Sequence, residues 1–314
     1  MELEIRHQTR YDYAAPVSLA HHLAHLQPLS DAHQQLLDFQ LEVQPSPDHL
    51  VHSLDAMGNA QCHFSLAQPH RWLEVHATSR VWVAPRFDEL QPDESPDWTE
   101  VAQRLRYVAG CASESALEYA QPSPFVPRLA ALRDYGAASF SKPRPVARVA
   151  LELMQRIHED FKYESCSTEI ETPLEQVLEQ RQGVCQDFAH LMAGVLRMWG
   201  LPARYVSGYL LTQAPEGGAT MLGADASHAW VQVWCPQTPG VGGEDWLDLD
   251  PTNNIVPGSG HVRVALGRDF GDVTPLRGVI RGGGSHRLSV GVSTRAVSSQ
   301  HVPGVAAPQV ATVK

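Results

Sequence analysis

Cysteine is sparse in this 314-residue chain. There are five, Cys62, Cys111, Cys166, Cys185 and Cys235, widely scattered and in no CxxC pair. An odd, dispersed set is a poor disulfide framework and a poor zinc ribbon. Positive charge is also short: 24 Lys plus Arg stand against 35 Asp plus Glu, a net charge of −11. Such a surface repels nucleic acid and anionic membranes, and neither is expected as a partner. No run of roughly eighteen apolar residues exists, so no membrane-spanning helix is expected. The opening MELEIRHQTRYDY is charged and lacks an apolar h-region, which does not fit a secretory signal. There is no internal repeat, and no acidic loop has calcium-site spacing. What remains is the composition of a folded protein, 43% hydrophobic and 19% charged. The length suggests about two domains, and a reducing cytoplasm is the expected compartment.

Periodicity divides the chain. LEIRHQTRYDY, DFQLEVQPSP, HFSLAQPH and WLEVHATSRVWV read as short strands separated by turns such as Met57-Gly58-Asn59, giving an N-terminal antiparallel β domain over 1–90. The acidic stretch 86–97 reads as a linker. A helical connector follows over 91–144, with Ser95 or Asp97 as N-cap of its first helix and a second helix near 128–135. A catalytic core is expected over 145–260. Val146, Val149, Ala150, Leu153, Ile157 and Phe161 share one helical face, and Thr172-Pro173-Leu174-Glu175 forms a capping box for a short helix. A third helix runs from about Cys185 to Trp199, with Phe188, Leu191, Met192, Val195 and Leu196 at helical spacing and Gly200 at its end. ARYVSGYLLT, HAWVQVWC and DWLDLDPTN then alternate as strands. Helices followed by antiparallel strands indicate an α+β fold. The segment 261–314 holds two strand-like pieces, VRVALG and HRLSVGVSTRAV, before an end expected to fray. With the core strands already placed, both pieces are expected to pair with an edge of the N-terminal β domain.

The chemistry concentrates at Cys185, where a glycine-containing loop meets the third helix. Helix N–H groups and the dipole stabilise a thiolate there, and the backbone N–H of the first turn can donate to an oxyanion. A nucleophilic sulfur needs an imidazole, and the imidazole an orienting acceptor. His228 opens one downstream strand and Asp250 closes the next, so adjacent antiparallel strands can set them side by side. Asp248 lies two residues from Asp250 on the same strand face and competes for the third role. Asp187, in the helix's first turn, suits the dipole and reads as structural. Tyr163 either lines the site or closes the core. Other clusters are weaker. His21, His22, His25 and His33 fit a strand and turn better than a metal site, and Cys166 and Cys235 do not stand at zinc-ligand spacing from Cys185 and His228.

Four segments together resemble the transglutaminase-like core: Gly183–Ala189 around Cys185, Gly200–Tyr209, His228-Ala229-Trp230 and Asp250-Pro251-Thr252-Asn253. Tyr11-Asp12-Tyr13, the Asp55–Asn59 turn and Gly267–Gly278 resemble the β domain and tail of a bacterial subfamily. The resemblance implies a papain-like arrangement of helices on an antiparallel sheet, with Cys185 as nucleophile, His228 as base and then acid, and Asp250 as orienter. It places Asp250 rather than Asp248 in the third role, because the motif's aspartate directly precedes the Pro-Thr pair. Tyr163, Gln186 and Trp230 are the side chains expected near the substrate, although Trp230 also reads as core packing. The implied activity is cysteine-dependent hydrolysis of a peptide or side-chain amide through a thioester, with no cofactor and no metal. Acyl transfer to an amine, as in transglutaminases, is the alternative, and a non-catalytic peptide-binding module a more distant one. The implied partners are a peptide or protein amide substrate and, by resemblance only, an ATP-grasp-type ligase and a helical partner protein.

Overall fold

The computed structural model describes residues 1–106, 108–109, 114–164, 172–211, 227–242 and 245–297. Cys111, Cys166 and the end expected to fray lie outside them. The chain opens with β1 (Glu2–Ala24), β2 (Gln34–Gln44), β3 (His49–Leu54), β4 (Ala60–Leu66) and β5 (His70–Val83). Helices α1 (Trp98–Arg104), α2 (Ala130–Gly136) and α3 (Val146–Asp160) follow, then β6 (Lys162–Tyr163), α4 (Leu174–Gln180), β7 (Gln182–Gly183) and α5 (Cys185–Met198). The chain continues through β8 (Ala203–Leu210), β9 (Ser227–Trp234), β10 (Trp246–Leu249), β11 (His261–Gly267), β12 (Leu276–Gly282) and β13 (His286–Ala296).

β1 organises the N-terminal sheet. It has 23 residues, far more than a typical strand, and it changes neighbours along its length. Glu2–Asp12 lies between β5 and β13, whereas Ala20–Ala24 lies between β4 and β12. The register shift between Asp12 and Val17 marks the changeover. The hydrophobic cores follow the same division. Leu3 and Ile5, with Val81 and Val83 of β5, pack into the core built around α3 and α5. Tyr13, Val17 and Ala20 join a second core with Phe64, Leu66 and Leu73.

The second core sheet has the order β10-β9-β8-β11 and lies against α5. Every residue of α5 from Asp187 to Arg197 is buried, as befits a helix covered on all sides. Its position fixes where Cys185, at its first turn, can stand.

Two expectations from the sequence are revised, the partner of the VRVALG piece and the Thr172 capping box, and of the two cap residues offered for α1 it is Asp97 that holds the position. The piece around VRVALG does not join the N-terminal domain; as β11 it pairs with β8 and completes the core sheet. Only the HRLSVGVSTRAV piece, as β13, pairs with β1, joined by β12, which the apolar pattern did not disclose. Ser95 does not cap α1. Its Oγ instead accepts the Ala147 N–H of α3 at 3.1 Å, while Asp97 holds the α1 cap position without a side-chain hydrogen bond. The short helix after Thr172 starts at Leu174, with Pro173 as its cap residue.

Since β13 covers the first half of β1 opposite β5, deleting residues 285–314 is expected to loosen the Leu3 and Ile5 layer. Limited proteolysis should then cut before residue 90 faster than in the intact chain. Unchanged protection would show that β13 contributes nothing to that sheet.

Candidate active site

Gly183 and Val184 lead into α5. The Val184 N–H donates to Asp187 Oδ2 at 2.8 Å, so the buried Asp187 ties off the helix start. A Cβ on Gly183 would stand 2.8 Å from that carboxylate oxygen, which is why the loop needs glycine. β6 pairs with β7 in parallel, and the Glu164 N–H donates to Gly183 O at 3.0 Å. Tyr163, paired opposite Gly183, is exposed and does not close the core. Gln186 is half-buried in the first turn. Cys185 is partly exposed, whereas Cys62 and Cys235 are buried. Burial pushes the Cys62 thiol up to about 11 and raises that of Cys235 further.

The structure brings His228, Asp250 and Cys185 together. His228 Nε2 donates to Asp250 Oδ2 at 2.8 Å, both side chains being buried. With Nε2 committed there, Nδ1 is the atom left for the sulfur of Cys185. Burial works against a charged imidazole, but the hydrogen bonds and charges of Asp250 and Cys185 outweigh it and push His228 up to about 10. Burial would raise the Asp250 carboxyl, yet its donors hold it well below the usual carboxylate range.

Among the described residues those donors are five. Oδ2 accepts from His228, from Asn253 Nδ2 at 2.7 Å and from His261 Nε2 at 3.2 Å, while Oδ1 accepts the Thr252 and Asn253 N–H groups at 3.0 and 3.2 Å. His261 was not singled out by sequence reasoning; it lies in the segment assigned to the tail, and no local motif marks it. His228, Asp250 and His261 are also close enough together to be considered as metal ligands. Their facing atoms are already joined by hydrogen bonds, and Asp250 Oδ2 has three donors, so the arrangement suits a hydrogen-bonded array better than a cation.

Asp248 is differently engaged. Its Oδ1 accepts the Trp230 Nε1–H at 3.1 Å, and its Oδ2 accepts from Arg263 Nε at 3.1 Å and from Arg263 Nη2, with Arg86 Nη1 at 3.8 Å. It has no hydrogen bond to His228 among those described. Trp230, expected near the substrate, has no exposed surface and lies under the site with its indole nitrogen committed to Asp248. Room for that ring comes from Gly208 of β8, where a Cβ would meet Trp230 at 2.4 Å.

The N-terminal domain reaches this region too. Gln34 Nε2 donates to Arg263 O and Gln34 Oε1 accepts the Arg263 N–H, both at 2.8 Å. Asn59 does the same for Leu266, again at 2.8 Å each way. Arg263 Nη1 also donates to Asp31 Oδ2 at 2.9 Å.

Comparison with known proteins agrees with this architecture. The family profile described as bacterial transglutaminase-like N-terminal region matches residues 3–82, and that of the transglutaminase-like superfamily matches residues 134–251. An uncharacterized protein of Mycobacterium tuberculosis is 39% identical over 269 residues, 85% of this chain and 83% of its own length. A protein-glutamine gamma-glutamyltransferase of Pseudomonas aeruginosa is 34% identical over 134 residues, 42% of this chain and 19% of its own. A crystal structure from Cytophaga hutchinsonii described as a "putative cysteine protease" superimposes with a TM-score of 0.69 at 21% identity, covering 98% of this chain and 94% of that one. No helix among the described residues is long and apolar enough to cross a membrane.

The charge on His228 has a consequence for stability. Its pKa is raised from 6.5 to about 10, so its contribution is fully present below pH 6.5 and is lost as pH rises through about 10. Asp250→Asn removes the main cause of that shift. Urea unfolding of the wild type and of Asp250→Asn should therefore show a stability gap that narrows between pH 7 and 10, and a constant gap would mean an uncharged imidazole. Asp248→Asn is expected to cost about 3 kcal/mol by removing the buried carboxylate shared by Arg263 and Arg86, with Asp31 left as the remaining ion-pair partner of Arg263, a loss readable in the same titration at pH 7.

Proposed function

This chain belongs to the transglutaminase-like superfamily, its bacterial N-terminal region joined to the superfamily core, and from that membership we propose that it is a cysteine-dependent hydrolase of peptide or side-chain amides. The observation that carries the reading is the buried hydrogen bond from His228 to Asp250, with Cys185 on the other side of the same imidazole.

In this reading Cys185 Sγ attacks the amide carbonyl carbon. The negative charge developing on the carbonyl oxygen is met by the Cys185 N–H, which lies in a helix turn where the intrahelical ladder supplies no acceptor. His228, held protonated by Asp250, gives its proton to the amide nitrogen as the C–N bond breaks. A thioester and a free amine result. Water then attacks the thioester, His228 accepts its proton, and the sulfur leaves with the acid released. Every proton in this sequence passes through His228, so EDTA is expected to leave the rate unchanged.

Water as acceptor is favoured by the fate of the tryptophans. An amine-selective site needs aromatic walls that keep water from the thioester. Trp230, Trp234 and Trp246 are buried in the core. Trp199 follows the last turn of α5, about 20 Å along the axis from Cys185, and stacks on Phe140. The second reading, transfer to an amine, is favoured by the similarity to the Pseudomonas glutamyltransferase.

Limited alkylation with iodoacetamide at neutral pH, followed by peptide mass analysis, should label Cys185 before the other four cysteines. Preferential labelling of any other would sink the assignment. Cys185→Ala should abolish hydrolysis of an amide-bearing peptide pool while leaving the thermal transition close to that of the wild type. Including a millimolar fluorescent amine separates the two acceptors: incorporation exceeding hydrolysis would overturn the choice of water.

A further inference from the structure

The donors on Asp250 are not equivalent. The Thr252 and Asn253 N–H groups and the Asn253 side chain belong to the turn that carries Asp250, and they move with it. His228 is the group to be oriented. Apart from His228 itself, on β9, His261 alone of these donors reaches the carboxylate from an independent element, as the first residue of β11. β10 and β11 are opposite edges of the four-stranded sheet, three strand spacings apart. In a flat sheet that separation is about 14 Å. The 3.2 Å contact between the His261 and Asp250 side chains, which together bridge much of that separation, is reached with the sheet curled so that both edges face the same side of β9 and β8. The surroundings are built for it. His261 is 2% exposed and stands edge-on to the Trp230 ring at 5.3 Å and 83°. That ring in turn lies where Gly208 has no side chain. Arg263, two residues further along β11, is anchored by Asp248, Asp31 and Gln34, so the strand that presents His261 is itself fixed.

We propose that His261 is the positioning residue of this site: its Nε2–H, presented from the far edge of the curled sheet, holds Asp250 in the place from which it orients His228. The inference rests on the Cys185–His228–Asp250 reading and adds to it a fourth side chain that touches neither the sulfur nor the substrate. Since Asp250 Oδ2 is a carboxylate oxygen and can only accept, His261 acts as a donor, and a replacement succeeds or fails by whether it can donate from the same position.

The test needs no knowledge of the substrate. The rate constant for alkylation of Cys185 by iodoacetamide is measured from pH 5 to 10, together with the low-field proton resonance of the imidazole N–H held by Asp250. His261→Phe keeps the ring's bulk without the donor and is expected to slow alkylation at neutral pH about tenfold and to broaden or shift the resonance. His261→Gln, which can donate, is expected to recover most of both. A His261→Phe protein that melts earlier yet keeps the wild-type rate and resonance would reduce His261 to a packing residue and overturn the proposal. Should the Phe variant not fold, His261→Met, which also lacks a donor, takes its place: a slowed rate and shifted resonance in Met that Gln recovers support the proposal, and equal behaviour of the two overturns it. A wild-type Cys185 no faster than Cys62 would instead defeat the underlying catalytic reading. A fast wild type with unaffected variants defeats only the role of His261.

Discussion

A carboxylate without exposed surface is tolerable only when its lone pairs are filled. Asp250 meets that condition with five hydrogen bonds drawn from two strands and its own turn, and much of the transglutaminase-like core is arranged around that requirement. β9 must present His228, the turn after β10 must fold back on itself, and β11 must come round from the other margin. The same satisfied charge keeps the imidazole protonated near neutrality. Electrostatics that a solvated aspartate would lose to screening are here preserved by burial.

Two residues away, Asp248 is just as deeply buried and has an entirely different task. Its partners are Arg263, Arg86 and the Trp230 indole, so its charge joins the core sheet to the segment that follows β5 and supports the floor of the site. Arg86 contributes through position more than through strong pairing: burial lowers it to about 10, and its Nη2 donates to Gln34. The N-terminal domain is therefore part of the scaffold that holds β11, and through β11 His261. Its own hydrophobic layer is shared as well, since Leu3 and Ile5 pack with the core around α5.

What could be read from the sequence follows from what is local. α5 was legible because its apolar residues recur at helical spacing and Gly200 ends it, and the structure has it at Cys185–Met198. The strands bearing His228 and Asp250 were legible from alternation and from the Pro251 turn. Asp250 could be preferred to Asp248 only through the motif, because strand geometry alone treats residues two apart as equivalent; their hydrogen-bond partners separate them. His261 was invisible, since its significance comes from sheet curl that joins strands at opposite margins. β12 was invisible for another reason: LRGVIRG is mostly exposed and shows no inward face. The assignment of β11 to the tail failed because pairing with β8 spans a long stretch of chain that no local pattern records.

The paired amides on β11 also decide how the core sheet meets other chains. An edge strand with open N–H and C=O groups invites an extra strand from another molecule. On the outer side of β11, Gln34 and Asn59 each occupy both backbone groups of one residue, and the Leu29 N–H takes a further share of the Arg263 carbonyl. Glutamine and asparagine thus imitate a neighbouring strand without being one, and the ladder ends there. An incoming polypeptide cannot extend this sheet in register along that margin. Pairing of one copy's core sheet with another's through β11 is blocked by the same two side chains. Among the described residues, the short, fully exposed β3 at the border of the N-terminal sheet has no such stopper.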